Sequence, residues 1–343
     1  MTEIGVVGAG AAAAAACYVL DETVPEASIT VLEKSGGLCG RAATRRRGGV
    51  TYDYGANYLK DNDDRVVDLV SEFDDGLVEV AGDIDVFDRT GTVSEGREAD
   101  ERKLTYRSGL TRLAKSLFGA TDATIHRRTR VERLARADGS WTLTDADGER
   151  WGPFDAVVCN PPAPQTADLL AEADWDAEAR TELVAAARDI DYRAVWTAVL
   201  GYEFELDRPY YGLVNTDKEH AVGWISREEC KPGHVPDGES VLVVQAGGEW
   251  SADRYDEPPA DNVAVLAEHA AGIVGDDRLA GPAWTDHQGW RYALPESGLR
   301  TGVLDGAEND GLYAVGDWVT GEARLHAAVR NGLDTGERLA SAL

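Results

Sequence analysis

A single methionine, five phenylalanines, six lysines and four cysteines are all that 343 residues supply of these types. The shortages exclude several classes. Cys17, Cys39, Cys159 and Cys230 show no C-x-x-C and no metal-ligand spacing, so they read as buried or incidental thiols of a reducing compartment, and no metal is expected. No apolar run approaches the roughly 20 residues of a membrane helix. No basic segment precedes the first apolar strand, so no signal peptide is expected. Repeats and low-complexity linkers are lacking, and the one biased stretch, the alanines at 11–16, reads as a tightly packed helix. Positive charge is scarce: 34 Lys+Arg against 62 Asp+Glu leave −28, and Arg outnumbers Lys 28 to 6. The acids are dispersed rather than gathered in a tail, which makes the charge a property of the whole surface that salt must screen. This points to a high-salt cytoplasm and away from nucleic-acid and anionic-membrane partners. The length suits two domains and leaves the oligomeric state open.

What is present begins with a βαβ unit. Ile4–Val7 is an apolar run suited to a buried parallel strand, a helix follows through Leu20, and Ser28–Leu32 forms the next strand, ending at Glu33. Between the first two lies Gly8-Ala-Gly10-x-x-Ala13. Gly8 permits the tight turn, Gly10 lets a pyrophosphate approach the backbone, and Ala13 allows close helix–strand packing. The helix start at Ala11 offers amide N–H groups and a positive dipole end to phosphate. Glu33, 23 residues beyond Gly10, stands where an acid accepts hydrogen bonds from an adenosine ribose. Together these features predict dinucleotide binding.

The next segment separates FAD from NAD. Glu33-Lys34-Ser-Gly-Gly-Leu-Cys39-Gly40-Arg41-Ala-Ala-Thr44-Arg45-Arg46 is a glycine-rich loop carrying Arg41, which can close on the pyrophosphate with charge-assisted bonds. With Tyr52-Asp-Tyr-Gly55-Ala56-Asn57-Tyr58, it resembles the G-G-R-x-x-T-R-R and D-x-G-A-x-Y motifs of the flavin amine oxidase superfamily, and more narrowly those of the renalase-like FAD-dependent oxidoreductases. Cys39 stands where the motif has a Gly. The resemblance continues through Gly109-Leu-Thr-Arg-Leu-Ala-Lys115, Thr129-Arg130-Val131, Pro161–Gln165, Lys231-Pro-Gly233, Glu249-Trp-Ser251, His287-Gln-Gly-Trp290-Arg-Tyr292-Ala293 and Gly311–Trp318. His326 departs from it, replacing a Glu. The overall composition resembles that of haloarchaeal proteins.

The resemblance implies non-covalently bound FAD, with Gly8, Gly10, Ala11, Glu33, Lys34, Gly40, Arg41, Asn57, Tyr58, Val131, Gly316, Asp317, Ala327 and Ala328 as its binding residues. Val131 starts the strand whose backbone holds the adenine. Asp317 binds the ribityl or phosphate end. The helix at Ala327–Leu339 points its N-terminus at the flavin N1–C2=O locus. The implied activity passes hydride from dihydronicotinamide isomers of NAD(P)H to flavin N5, with O2 as acceptor and H2O2 as product. His287, Trp290 and Tyr292 are the substrate-side candidates. Lys231 reads either as a surface turn lysine or as a cation near the cofactor or substrate. Arg45–Arg47 read either as a solvated cluster or as phosphate binders.

The expected architecture is α/β: a Rossmann-like, two-dinucleotide-binding-type FAD domain from 1–60, 104–166 and 286–343, and an α+β substrate domain with a mostly antiparallel sheet from 61–103 and 167–285. The substrate lies between them, because interdomain clefts favour ligand pockets. Alternatives are an amine oxidase or other desaturase on the same flavin machinery, a non-catalytic FAD-binding protein, and an NAD-only dehydrogenase. The last is opposed by the Arg41 loop and Gly316-Asp317.

Overall fold

The structure is a computed structural model describing residues 2–97 and 101–343. Five parallel strands form its first sheet, in the order Thr124–Arg127, Ser28–Glu33, Glu3–Val7, Ala156–Cys159 and Leu312–Ala314. The two central strands, Glu3–Val7 and Ala156–Cys159, are almost wholly buried, as strands covered on both faces must be. An antiparallel sheet of Val131–Ala137, Ser140–Asp145 and Arg150–Phe154 packs Leu134, Trp141, Leu143 and Phe154 beneath it.

The alanine run serves a seam. Ala11–Ala16 are all buried in the helix Ala11–Thr23. The helix Leu325–Ala342 crosses it through Gly332 and Gly336. A Cβ on Gly332 would stand 2.2 Å from the Ala12 carbonyl oxygen, and one on Gly336 would stand 2.9 Å from that of Ala16. Small residues on both helices let the backbones meet, so the run is dictated by contact as much as by helix propensity.

The second sheet has seven strands, in the order Trp284–Pro295, Tyr192–Tyr202, Ser240–Ala246, Val222–Arg227, Tyr210–Asn215, Asp83–Phe87 and Val93–Ser94. It is antiparallel except where Tyr210–Asn215 meets Asp83–Phe87. One face buries Leu200, Leu242 and Val244 against Leu266 and Ala270 of the helix Pro259–Val274. The other face sets Val199, Val241 and Val243 against Val50 and Tyr52 of the hairpin Thr44–Asp53 and Tyr54 just after it. The fold is thus a Rossmann-like domain joined to a second domain with a mostly antiparallel sheet.

The packing departs from the expected segment boundaries in three places. Trp284–Pro295 pairs along its length with Tyr192–Tyr202, so a boundary before residue 286 falls inside a strand. The helix Asp64–Glu72, expected in the second domain, buries Val66, Leu69 and Val70 in the same core as the first helix. Leu183 of the helix Glu178–Arg188 likewise packs with Leu312 of the first sheet. Residues 98–100 of the expected segment 61–103 lie outside the described residues. No helix among those described is long and apolar enough to cross a membrane.

Candidate active site

The turn after the first strand is built for close approach. Gly8 has φ +91°, a conformation that favours glycine. The Gly8 amide donates to Leu32 O at 2.8 Å, closing the turn onto the second strand. Glu33 is buried, accepting from Ala9 N through one oxygen and Ser35 N through the other, at 2.7 Å each. A carboxylate has about four acceptor sites, so capacity remains for ribose hydroxyls. The helix start at Ala11 carries no side-chain cap and no acid in its first turn. An uncapped, buried N-terminus of small residues fits a pyrophosphate. Gly10 departs from its expected reason: its amide donates to Asn160 Oδ1 at 2.8 Å, and a Cβ there would lie 2.3 Å from that oxygen. Its missing side chain makes room for Asn160.

Asn160 ends the Ala156–Cys159 strand and ties both dinucleotide motifs together, since its Nδ2 also donates to Val315 O at 3.2 Å. The Gly316 amide donates to Asn331 Oδ1 at 2.8 Å. Arg41, expected at the pyrophosphate, and Asp317, expected at the ribityl or phosphate end, meet in a bidentate pair at 2.9 and 2.6 Å, with Arg41 also donating to Ala293 O at 2.8 Å. Burial works against the Arg41 charge, but Asp317 outweighs it and the guanidinium is held above its ordinary range. Beside them, the indole N–H of the fully buried Trp318 has no partner among the described residues. The uncapped helix, the residual acceptors of Glu33 and the Arg41–Asp317 pair suit FAD. Cys39 adopts φ +75°, the left-handed conformation for which a Gly is the easier residue.

The second sheet turns a polar row toward this region. Gln288, Thr197, Gln245 and Trp224 are cross-strand neighbours on successive strands. Gln245 donates to Gly55 O at 2.7 Å, Asn57 Nδ2 donates to Gln245 Oε1 at 3.4 Å, and Ser226 Oγ donates to Asn57 Oδ1 at 3.3 Å. Tyr58, Tyr211 and Trp224 form an aromatic group with ring centroids 6.0–6.4 Å apart. Two atoms of the row, Thr197 Oγ1 and Trp224 Nε1, are buried without a partner among the described residues. Such orphans call for an explanation.

Several sequence expectations find different places. His287 is exposed and stacks on Trp196 at 5.4 Å. Trp196 belongs to the helix-covered face, so strand alternation turns His287 away from the polar row. Trp290 faces the hairpin, stacked on Tyr54 at 5.4 Å and donating to Tyr54 O at 3.0 Å. Tyr292 lines an open cavity of about 430 Å³ with Tyr192, Tyr255 and Arg291. Val131 opens a strand two residues after Thr129, whose amide donates to Glu33 O at 2.9 Å. Lys34 bonds Gln165 at 3.2 Å. Ala327 is buried in the first turn of the last helix. His326 bonds Glu322 at 2.8 Å, and Arg330 bonds the same carboxylate at 3.1 Å. Lys231 is fully buried between Asp53 and Glu228, which overturns the surface-turn reading. Asn160, Asn331, Thr197 and Gln245 have no place among the sequence expectations. Asn160 carried a signal, being a polar residue directly after an apolar parallel strand, where ligands of such sheets bind.

Arg45 bonds Asp286 at 3.0 Å and Gln288 at 2.8 Å and lies 4.2 Å over the Tyr54 ring; Arg47 lies over Trp284. Burial alone would raise the Asp286 carboxyl, but Tyr52, the His287 amide and Arg45 outweigh it and hold it below its ordinary value. A depressed folded-state value means that this contact stabilises above the unfolded carboxylate range and is lost as pH falls through the folded value. Thermal unfolding at constant salt should show the melting temperature falling below about pH 4, with a smaller fall in Asp286→Asn. Equal falls would separate the contact from acid stability.

The sequence matches the family model for flavin containing amine oxidoreductase over residues 83–340. It also matches that for an NAD(P)-binding Rossmann-like domain over residues 6–73. Among solved structures, the provisionally named protoporphyrinogen oxidase of Exiguobacterium sp. 255-15 aligns with TM-score 0.80 at 15% identity, covering 100% of this chain and 99% of that one. Putrescine oxidase bound to putrescine gives 0.78 at 11% identity, with 99% of each chain covered. Cyclohexylamine oxidase of Brevibacterium oxydans IH-35A gives 0.75 at 12%, also with 99% of each. At these identities the likeness speaks for the fold.

Proposed function

The chain belongs to the flavin containing amine oxidoreductase family and is an FAD-dependent oxidoreductase, and from that premise we propose that it oxidises a dihydronicotinamide isomer of NAD(P)H, as renalase-like enzymes do. FAD, held non-covalently, supplies the electron-accepting ring, and the net reaction takes the dihydronicotinamide, dioxygen and a proton to NAD(P)+ and hydrogen peroxide.

One observation carries the choice of donor: Trp224 Nε1, which can only donate, is buried without a partner among the described residues, in the aromatic group with Tyr58 and Tyr211. A carboxamide-bearing ring brings a carbonyl acceptor and a flat face. An amine brings donors, and its one lone pair is needed to form the C=N bond as hydride leaves the adjacent carbon. The aromatic side chains would stack the ring while Trp224 donates to its carbonyl. Hydride donation needs no side-chain base, and Lys231, the lysine closest to a catalytic reading, has its ammonium bound to two carboxylates. The net charge of −28 supports a high-salt cytosol as the working medium.

Anaerobic stopped-flow absorbance of the FAD-loaded protein in molar KCl tests this. The 2- and 6-dihydro isomers should bleach the flavin faster than β-NADH or any amine, and oxygen should restore the colour with peroxide release. Bleaching by an amine alone would transfer the protein to the amine-oxidase reading, and none at all would favour a non-catalytic flavoprotein. Trp224→Phe, which keeps the ring and removes the donor, should raise KM for the isomers about tenfold, the size of one hydrogen bond of about 1.5 kcal/mol. An unchanged KM would remove Trp224 from substrate recognition.

A further inference from the structure

The D-x-G-A motif contains an aspartate that the cofactor does not account for. Asp53 is fully buried and accepts four hydrogen bonds: Thr44 Oγ1 at 2.6 Å, Leu110 N at 2.9 Å, Lys231 Nζ at 3.0 Å and Thr105 Oγ1 at 3.3 Å. Lys231 Nζ lies 2.8 Å from Glu228 Oε1. Glu228 Oε2 accepts from Asp53 N at 3.1 Å and faces His234 Nδ1 at 3.0 Å, while His234 Nε2 donates to Tyr106 O at 2.9 Å. All four side chains are at 0% exposure. The ligand atoms of Asp53, Glu228 and His234 lie within 4.8 Å of one another, and the cation among them is the Lys231 ammonium. Burial works against these charges, but their mutual attraction outweighs it, holding Asp53 below and Lys231 above their ordinary values.

Position gives this hub its purpose. The segment after Asp53 is tied at every residue. Tyr54 O accepts from Trp290 and Gly55 O from Gln245, Ala56 N donates to Arg41 O at 2.9 Å, Asn57 meets Gln245 and Ser226, and Tyr58 meets Tyr211 and Trp224. The segment therefore joins the Arg41 loop to the polar row of the second sheet. It has no slack: a Cβ on Gly55 would stand 2.0 Å from Arg41 O and 3.2 Å from Trp290. Lys231, in the turn that follows the strand Val222–Arg227, holds the start of this segment at Asp53.

We propose that Lys231 and Asp53, completed by Glu228 and His234, are positioning residues that fix the Tyr54–Tyr58 segment between the cofactor loop and the substrate face. The assignment holds for whichever donor the enzyme oxidises. Its test uses Lys231→Met, Lys231→Arg and the charge-balanced double variant Lys231→Met/Glu228→Gln, in molar KCl. Three quantities are measured: FAD dissociation constant, visible circular dichroism of the bound flavin, and melting temperature without FAD. Lys231→Met should weaken FAD binding about ten- to a hundredfold, the range that outer-sphere partners command at metal sites, and alter the flavin dichroism. The double variant should recover much of the melting temperature but neither flavin signal. Should Lys231→Met not fold, Lys231→Arg keeps the charge while its fork cannot reproduce the ammonium's two contacts, and the same flavin signals should move. A hub that is structural alone would lower the melting temperature while folded protein kept its FAD affinity and dichroism, or would recover all three in the double variant. Either result overturns the proposal.

Discussion

Arg41→Met should give protein that melts well below the parent and no longer retains FAD through gel filtration. Two effects add. Asp317 loses both of its guanidinium bonds and stays a buried carboxylate with no cation beside it. Breaking a buried pair costs about 3–5 kcal/mol, and the partial exposure of Arg41 lowers the expectation to about 2–4 kcal/mol. The cofactor also loses the Arg41 guanidinium expected at its pyrophosphate. The double variant Arg41→Met/Asp317→Asn separates them: removing the stranded charge should restore part of the melting temperature, whereas FAD affinity should stay low. Thermal unfolding of the apo forms and fluorescence titration with FAD give the two numbers. If Arg41→Met bound FAD normally, the pair would be a strut of the fold rather than part of the cofactor site.

The second large effect is expected at the helix seam. Gly→Ala inside a helix ordinarily stabilises by up to about 1 kcal/mol. At Gly332 the sign should reverse, because the new Cβ would meet the backbone oxygen of Ala12 at 2.2 Å. A backbone oxygen cannot swing aside as a side chain can. The helices must separate, at an overpacking cost of about 1–3 kcal/mol, and the first helix carries its N-terminus away from the Gly8–Gly10 turn. Gly332→Ala should therefore lower both melting temperature and FAD content. Gly272, in the helix Pro259–Val274, is the control: a Cβ there has nothing within 4 Å, so Gly272→Ala should leave FAD content unchanged and raise the melting temperature slightly. A stabilised Gly332→Ala would mean that the helices are not in contact as described.

What was legible in the sequence was local. The first strand, glycine turn, helix and second strand ending at Glu33 read correctly as local structure, because each is set by neighbours within a few residues. The Arg41 loop and Gly316-Asp317 were legible as motifs, but their meeting in one ion pair was not, since 276 residues separate them. His287 was misplaced because alternation fixes only that 286 and 288 face one way and 287 the other. Which side holds the cleft depends on the hairpin that Tyr52 and Tyr54 bring. Lys231 read as a surface lysine because charged side chains are rarely fully buried unless paired. Its partners come from Asp53, far away in sequence, and from Glu228, whose acidity is unremarkable among 62 acids. The boundary before 286 failed for a related reason, as one strand serves both the sheet it belongs to and the site beside it.

The seam between the first and last helices also bears on biosynthesis. Among these elements, residues 3–33 are made first. The edge strand Leu312–Ala314 and the helix Leu325–Ala342 that complete their sheet and cover Ala11–Ala16 emerge roughly 300 residues later. Until then the alanine face lacks its partner, and the cofactor cradle lacks Asp317. Contacts of such long sequence separation form slowly and leave apolar surface uncovered meanwhile. The cofactor therefore cannot be fully seated until these late elements dock, and its capture belongs to the closing step of this unit's folding.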